Sequence, residues 1–215
     1  DQDILEIKSN KSNVTVRGYV RECPVITSDT DIMVAAKLLL EAKQHRAPVI
    51  ASPADRTLVG MVSEADILRH MQPTKKSPKT VKDVMSRAVE TAYPDESIAK
   101  LWANMLEWDY TGIPVVSHKK QTMGIVTRSD IIKAGYARIG SSDMHGRGSG
   151  DSPKVEKVMS TPLYSISPEA SVSEAIHTVL EHNIGRISVT SDNKLVGIAD
   201  RHDLLKACLT GTGIH

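Results

Sequence analysis

At 215 residues, with 40% hydrophobic and 25% charged side chains and a formal net charge of +1, the chain can bury one large core or two ordinary ones. It lacks the basic excess of a nucleic-acid binder. Aromatic residues make up 3% and Phe is absent, which removes stacking platforms for single-stranded nucleic acid and leaves aliphatic side chains to form the core. Cys23 and Cys208 stand far apart with no ligands at metal spacing, and charges break every apolar stretch well short of a membrane span. With no signal-peptide pattern at the start, the expectation is a cytoplasmic protein with no membrane segment, no metal and little affinity for nucleic acid.

The chain opens on "DQDILE", and an opening Asp1 in place of an initiator Met fits a piece trimmed from a longer parent. After "VRGYVRE", the run "PVITS" reads as a short strand. "DTDIMVAAKLLLEAKQ" follows, placing Ile32, Ala35, Ala36 and Leu39 at helical spacing behind acidic and hydroxyl residues suited to a helix N-terminus. "APVIA" and "LVGMVS", separated by the turn-like "PADR", predict a hairpin, and "EADILRH" continues as a helix.

The order then repeats. "VKDVMSR" and "AVETA" lead to a helix in "DESIAKLWANMLEWD" with Ile98, Leu101, Trp102 and Met105 on one stripe, then "IPVVS", "HKKQ" and "TMGIVTRSDIIKA". Trp102 belongs to that stripe and should be core, whereas Trp108 lies off it and suits an interface. Residues 140–153, "GSSDMHGRGSGDSP", form a Gly/Ser linker. A third copy follows with "VEKVMST", "LYSIS", a helix carrying Val172, Ala175, Ile176 and Val179, then "ISVTS", "DNK" and "LVGIADRHDLLKA".

The closing Asp of each copy, Asp66, Asp130 and Asp203, recurs at intervals of 64 and 73 residues, the longer one holding the linker. Each unit is β-α-β-β-α in about 60 residues, a size at which a lone core is marginal, so neighbouring units should pair. Asp3 precedes Asp66 by 63 residues, which makes residues 1–10 the expected tail of a still earlier unit. The expected units are therefore residues 13–72, 77–139 and 154–210, in an α+β chain.

In order and in triplicate, "VKDVMS", "PVVS" and "GIVTRSDII" resemble the CBS domain family, whose repeats occur in pairs called Bateman modules. The resemblance covers nearly the whole chain. It implies tandem α+β repeats packed with pseudo-twofold symmetry around two clefts, and a non-catalytic module that binds AMP, ADP, ATP, S-adenosylmethionine or methylthioadenosine and regulates a protein partner, an attached domain or a second copy of itself. The family's ribose-binding carboxylate transfers to Asp66, Asp130 and Asp203, and to Asp3 if that tail is real; a carboxylate is an efficient acceptor for paired hydroxyls. The hydroxyl three residues earlier, expected on the phosphate side, is Ser63 or Thr127, while Asp200 stands there in the third copy and should repel polyphosphate.

"QHRAPV" resembles the His-Arg-x-Pro-Val phosphate contact of the gamma subunits of AMP-activated kinases, which implies His45 and Arg46, with Arg186 equivalent to Arg46. Thr111 and Gly112 replace them in the middle copy, where Arg128 is the compensating cation. Base contacts are implied for Pro24, Val25, Ala88, Val89, Ile113, Pro162 and Leu163.

Blander assignments compete. Ser63 or Thr127 followed three residues on by Asp is also the signature of a helix capping box, for which Asp200 and Asp203 make a weaker version. His45, Arg46 and Arg186 could be solvated surface cations. His177, His182 and His202 receive no role. Lys75, Lys76, Lys79 and Lys82 form a solvated connector. No Walker loop, His-Glu-x-x-His helix or Gly-x-Ser-x-Gly elbow occurs, so the chain is read as no enzyme. A ligand-free oligomerisation module, or the regulatory part of an enzyme or transporter, is the alternative.

Overall fold

The computed structural model describes residues 15, 17, 20–71, 73, 78, 80–136 and 152–210. The tail at 1–10, most of the linker at 140–153 and the connector lysines Lys75, Lys76 and Lys79 lie outside the described residues. Within the described part the repeated unit is present three times. The first contains β1 (Ile26–Thr27), α1 (Ile32–Glu41), β2 (Arg46–Ile50), β3 (Leu58–Ser63) and α2 (Glu64–Leu68). In the second, α3 (Ile98–Glu107), β4 (Gly112–Val116), β5 (Thr122–Thr127) and α4 (Arg128–Lys133) follow a first strand reduced to one parallel bridge between Ala92 and Val115. The third comprises β6 (Ser165–Ile166), α5 (Val172–Glu181), β7 (Arg186–Ser191), β8 (Lys194–Asp200) and α6 (Arg201–Leu209).

Local chemistry fixes these elements. The long helix of each unit starts at an oxygen acceptor: Asp31 takes the Met33 amide at 2.8 Å, Ser97 that of Lys100 at 3.4 Å, and Ser171 that of Glu174 at 3.1 Å. Each ends where one residue turns left-handed, Lys43 at φ 51°, Asp109 at 55° and Asn183 at 48°, so the chain leaves the helix in the direction of the next strand. The hairpins pair antiparallel, Ala47 opposite Val62 and Ile113 opposite Val126, with a register slip at the same place in both, Val49/Ile50 and Val115/Val116. The first strand, where formed, adds in parallel to the hairpin, Ile26 beside Val49 and Ile166 beside Val189.

The compact units do not follow the repeats. One consists of Arg21–Ala88, Ser165–Ser191 and Val196–His215; the other contains Val89–Tyr164 and Asp192–Leu195. In the first, α1 and α2 pack with α5 and α6 around Leu39, Ile67, Leu68, Val81, Val179, Leu204 and Leu205, so the first and third repeats share one core. Adjacency in sequence, which favoured neighbouring repeats, does not decide that partnership; the apolar helix faces do. Ile32, expected on the stripe of α1, is exposed, and the buried positions there are Ala35, Ala36 and Leu39. In the other unit, α3 and the β4–β5 hairpin bury Ile98, Leu101, Trp102, Met105, Ile113, Val126 and Ile131. Trp102 is therefore core as expected, and Trp108 is 40% exposed, edge-on to Tyr110.

The lead-in segment of a repeat docks on a different repeat from its own. Residues 80–86 precede the second repeat but pack on the third: the Val81 amide donates to the Ala170 carbonyl (2.9 Å), Lys82 pairs with Glu169 (2.9 Å), and Ser86 bridges Ile198. Residues 155–160 precede the third repeat but pack on the second: the Val155 amide donates to the Glu96 carbonyl (2.9 Å) and Ser160 bridges Ile125. Val81 and Val155 are the fully buried anchors of the two crossings. Where a segment crosses, the strand carries glycine. A Cβ on Gly124 would sit 2.6 Å from the Ser160 carbonyl oxygen, and one on Gly197 would overlap the Met85 sulfur and lie 3.0 Å from the Ser86 carbonyl oxygen. A Cβ on the equivalent Gly60 would meet nothing within 4 Å beyond its own chain neighbours, and Leu58, Val59 and Met61 beside it are 62, 54 and 57% exposed.

Candidate functional site

All three hydroxyl/carboxylate motifs fold into complete capping boxes at the start of α2, α4 and α6, including the one built from two aspartates that sequence alone made the weaker version. Each box also receives the backbone of the turn that leads into its hairpin: the amides of Glu64, Arg128 and Arg201 donate to the carbonyls of His45, Thr111 and Gly185. The expected Arg46 and Ser63 thereby become register partners across β2 and β3, as Gly112 and Thr127 are across β4 and β5.

The three carboxylates differ in what remains to bind a ligand. Asp130 Oδ2 accepts from the Thr127 amide (2.8 Å) and hydroxyl (2.6 Å), while Oδ1 has only a long 3.5 Å contact from the Ser160 hydroxyl. Asp66 Oδ2 is held likewise by Ser63, but its Oδ1 takes a 2.6 Å ion pair from Arg69, and the Ser63 hydroxyl holds the carboxyl below its ordinary range. Burial, reinforced by the negative charge of Asp200, pushes Asp203 up to about 6. Asp130 is therefore the carboxylate of the three whose second oxygen faces only a weak donor among the described residues.

Several expected site residues are otherwise engaged. Arg128, 4% exposed, donates to the Met105 carbonyl (2.6 Å) and to Asp109 (3.1 Å), so the guanidinium expected on the phosphate side ties the start of α4 to the end of α3. Arg201 repeats the clamp on Asn183 (3.1 Å). Ile113 is fully buried in the core. The Thr127 hydroxyl donates to Asp130 Oδ2 and accepts from the Asp130 amide, which makes it the holder of Asp130. Val25, Ala88 and Pro162 are exposed; Pro24, Val89 and Leu163 are half-buried; Arg46 is exposed and Arg186 half-buried. Pro24, Val25 and Ala88 lie in the unit of the first and third repeats, whereas Val89, Pro162 and Leu163 lie in the other, so residues 88 and 89 part company.

Sequence reasoning overlooked Glu64. It occupies the position that holds Arg128 and Arg201 in the other copies, is 3% exposed, and accepts from His45 Nδ1 (2.9 Å) and His202 Nδ1 (2.8 Å). The hydrogen bond to Glu64 raises the pKa of His45 above its ordinary value. An acid replacing a repeated arginine was the available signal. Only Ser160, brought from the third repeat's lead-in to Asp130, left no mark in the sequence.

The CBS domain profile matches residues 16–73, 81–137 and 155–210. Protein MJ1404 of Methanocaldococcus jannaschii is 27% identical over 214 residues, 95% of this chain and 49% of its own length. The CBS domain-containing protein YhcV of Bacillus subtilis is 34% identical over 125 residues, 58% of this chain and 82% of its own. The chain spans about half the length of MJ1404, and 24% of the L-aspartate semialdehyde sulfurtransferase of M. jannaschii, to which it is 33% identical over 128 residues. Among solved structures, MJ1225 of M. jannaschii, proposed as an archaeal homologue of g-AMPK, superposes with a TM-score of 0.69 at 22% identity over 90% of this chain and 70% of that one. CBSX2, solved in complex with AMP, gives 0.52 at 23% identity over 61% and 97%. Those two likenesses establish the tandem α+β fold. With three profile matches in the order read from the sequence, the chain belongs to the CBS domain family.

Proposed function

We propose that this chain is a non-catalytic regulatory module that binds an adenine nucleotide, AMP, ADP or ATP, or a related adenosyl compound such as S-adenosylmethionine or methylthioadenosine, and passes its ligand state to a partner or attached domain. The observation that carries the reading is Asp130, a carboxylate held from one side by Thr127 with its second oxygen facing only a 3.5 Å contact from Ser160, which leaves an acceptor for a ribose hydroxyl. The complex of the related fold CBSX2 with AMP supports the ligand class. Arg46 beside Ser63, and Arg186 in the third copy, are the phosphate-side cations of the proposal; Asp200 makes the third copy's box the poorest receiver of a polyphosphate. Pro24, Val25, Ala88, Val89, Pro162 and Leu163 remain the candidates for base contact.

Ligand control requires that the ligand favour one arrangement of the repeats over another. Among the described residues no helix is long and apolar enough to cross a membrane, and the proposed setting is the cytoplasm. Calorimetric titration with the five ligands tests the reading; silence from all of them at millimolar concentration contradicts it. The exposed strip Leu58, Val59 and Met61 favours a second reading, a module that works by association through β3. Light scattering distinguishes it: a ligand-independent oligomer that Met61→Lys reduces to a monomer supports association.

A further inference from the structure

His45, Glu64 and His202 converge within one compact unit, the first two from the first repeat and the third from the third repeat. One ligand atom from each lies within 4.8 Å of the others. The two imidazoles present the same nitrogen, Nδ1, to opposite oxygens of a single carboxylate, with ring centroids 6.2 Å apart and planes at 86°. We propose that this His-Glu-His cluster is a binding site for a divalent transition metal of the zinc class, joining the first repeat to the third.

The chemistry of the donors selects the class. Two neutral imidazoles and one carboxylate form a set that zinc takes in three-ligand sites with the fourth position open, whereas magnesium and calcium require oxygen ligands. Ligands at about 2.0–2.1 Å on a tetrahedral metal lie roughly 3.3 Å from one another. The nitrogen–oxygen distances of 2.8 and 2.9 Å run to different oxygens of Glu64, and the three ligand atoms lie within 4.8 Å of one another, so the set must draw together by up to about 1.5 Å around one metal. His45, with a side chain 70% exposed, can make that adjustment, while buried Glu64 supplies a fixed anchor. The surrounding charges are mixed: Asp200 adds a negative charge near His45, and Arg186 and Arg201 oppose it. The site does not use Asp130, which carries the nucleotide proposal and lies in the other unit, although Arg46, Ser63 and Arg186 of that proposal share the unit of this cluster.

The test uses the chain stripped with EDTA and titrated with zinc chloride alone. One equivalent is expected to bind and to raise the melting temperature by several degrees, because a metal bound only by the folded state stabilises it. Cobalt(II) should give the visible absorption of a tetrahedral nitrogen/oxygen site. His202→Gln and His45→Ala each remove a ligand and should weaken binding by about 100-fold or more, the upper end of what loss of an outer-shell partner alone costs. His177→Gln, an exposed histidine elsewhere paired with Glu181, should leave it unchanged. His45→Ala, at an exposed side chain, is the variant chosen to keep the fold, and its melting temperature without zinc is measured alongside. The proposal is overturned by absence of stoichiometric zinc binding, by binding that survives both histidine substitutions, or by an equal response to magnesium.

Discussion

The three equivalent glycines offer a matched experiment on the crossing lead-in segments. Substituting Ala at Gly124 places a methyl carbon 2.6 Å from the Ser160 carbonyl oxygen and 3.2 Å from Thr161 Cγ2. An ordinary carbon–oxygen contact needs about 0.8 Å more. The obstacle is backbone, so relief means moving the segment, against the paired hydrogen bonds from the Ser160 amide to the Ile125 carbonyl (2.8 Å) and back (3.2 Å). Overpacking of this kind costs about 1–3 kcal/mol, partly offset by about 0.5–1 kcal/mol gained when glycine leaves a strand interior. Gly124→Ala should therefore destabilise by about 1–2 kcal/mol, Gly197→Ala by less because the Met85 side chain can yield, and Gly60→Ala by nothing or with a slight gain. Urea titrations with unchanged slope provide the measurement. Equal midpoints for Gly124→Ala and Gly60→Ala would refute the crossing of residues 155–160 over β5.

Asp203 gives a pH signature. Its folded value of about 6 lies above the ordinary 3.8, so the folded state binds the extra proton: the stabilisation is complete below about 3.8 and is lost as pH rises through about 6. The full displacement corresponds to at most about 3 kcal/mol, and partial exposure reduces this to about 1–2 kcal/mol. Asp200→Thr, which rebuilds the Thr127 type of box, should flatten that slope in metal-free buffer; an unaltered slope contradicts the assignment. Arg128→Met, which unties α4 from α3, should lower stability by about 2 kcal/mol without changing the affinity for adenosyl ligands, whereas loss of affinity at unchanged stability would restore Arg128 as a ligand contact. Burial pushes the Cys208 thiol up to about 11, so Ellman's reagent should titrate exposed Cys23 in the native protein and reach Cys208 only on unfolding.

Local signals made the repeats legible. Apolar spacing placed α1, α3 and α5, and the glycine and Asp of each closing motif marked β3, β5 and β8 with the boxes behind them. What escaped is non-local. "VKDVMS" and "VEKVMS" carry the valines that anchor the lead-in segments, but nothing adjacent to Lys82 indicates that its partner is Glu169, 87 positions away. Arg128 is ambiguous for a related reason: a cation in a ligand motif and a cation clamping a helix end look alike until Met105 and Asp109 are in place. Glu64 is informative only against Arg128 and Arg201, and His202 only once the first and third repeats share a core.

The central claim, that Asp130 receives the ribose of an adenosyl ligand, is tested most directly by calorimetric titration of the chain and its Asp130→Asn variant with AMP, ADP and ATP. Asn keeps an oxygen for the Thr127 amide and so preserves the cap, while the charge is lost. A hydrogen bond to a charged acceptor contributes about 1.5–3 kcal/mol, so affinity should fall roughly 10- to 100-fold with stability nearly unchanged. Equal affinity in the two proteins, both folded, would contradict the account.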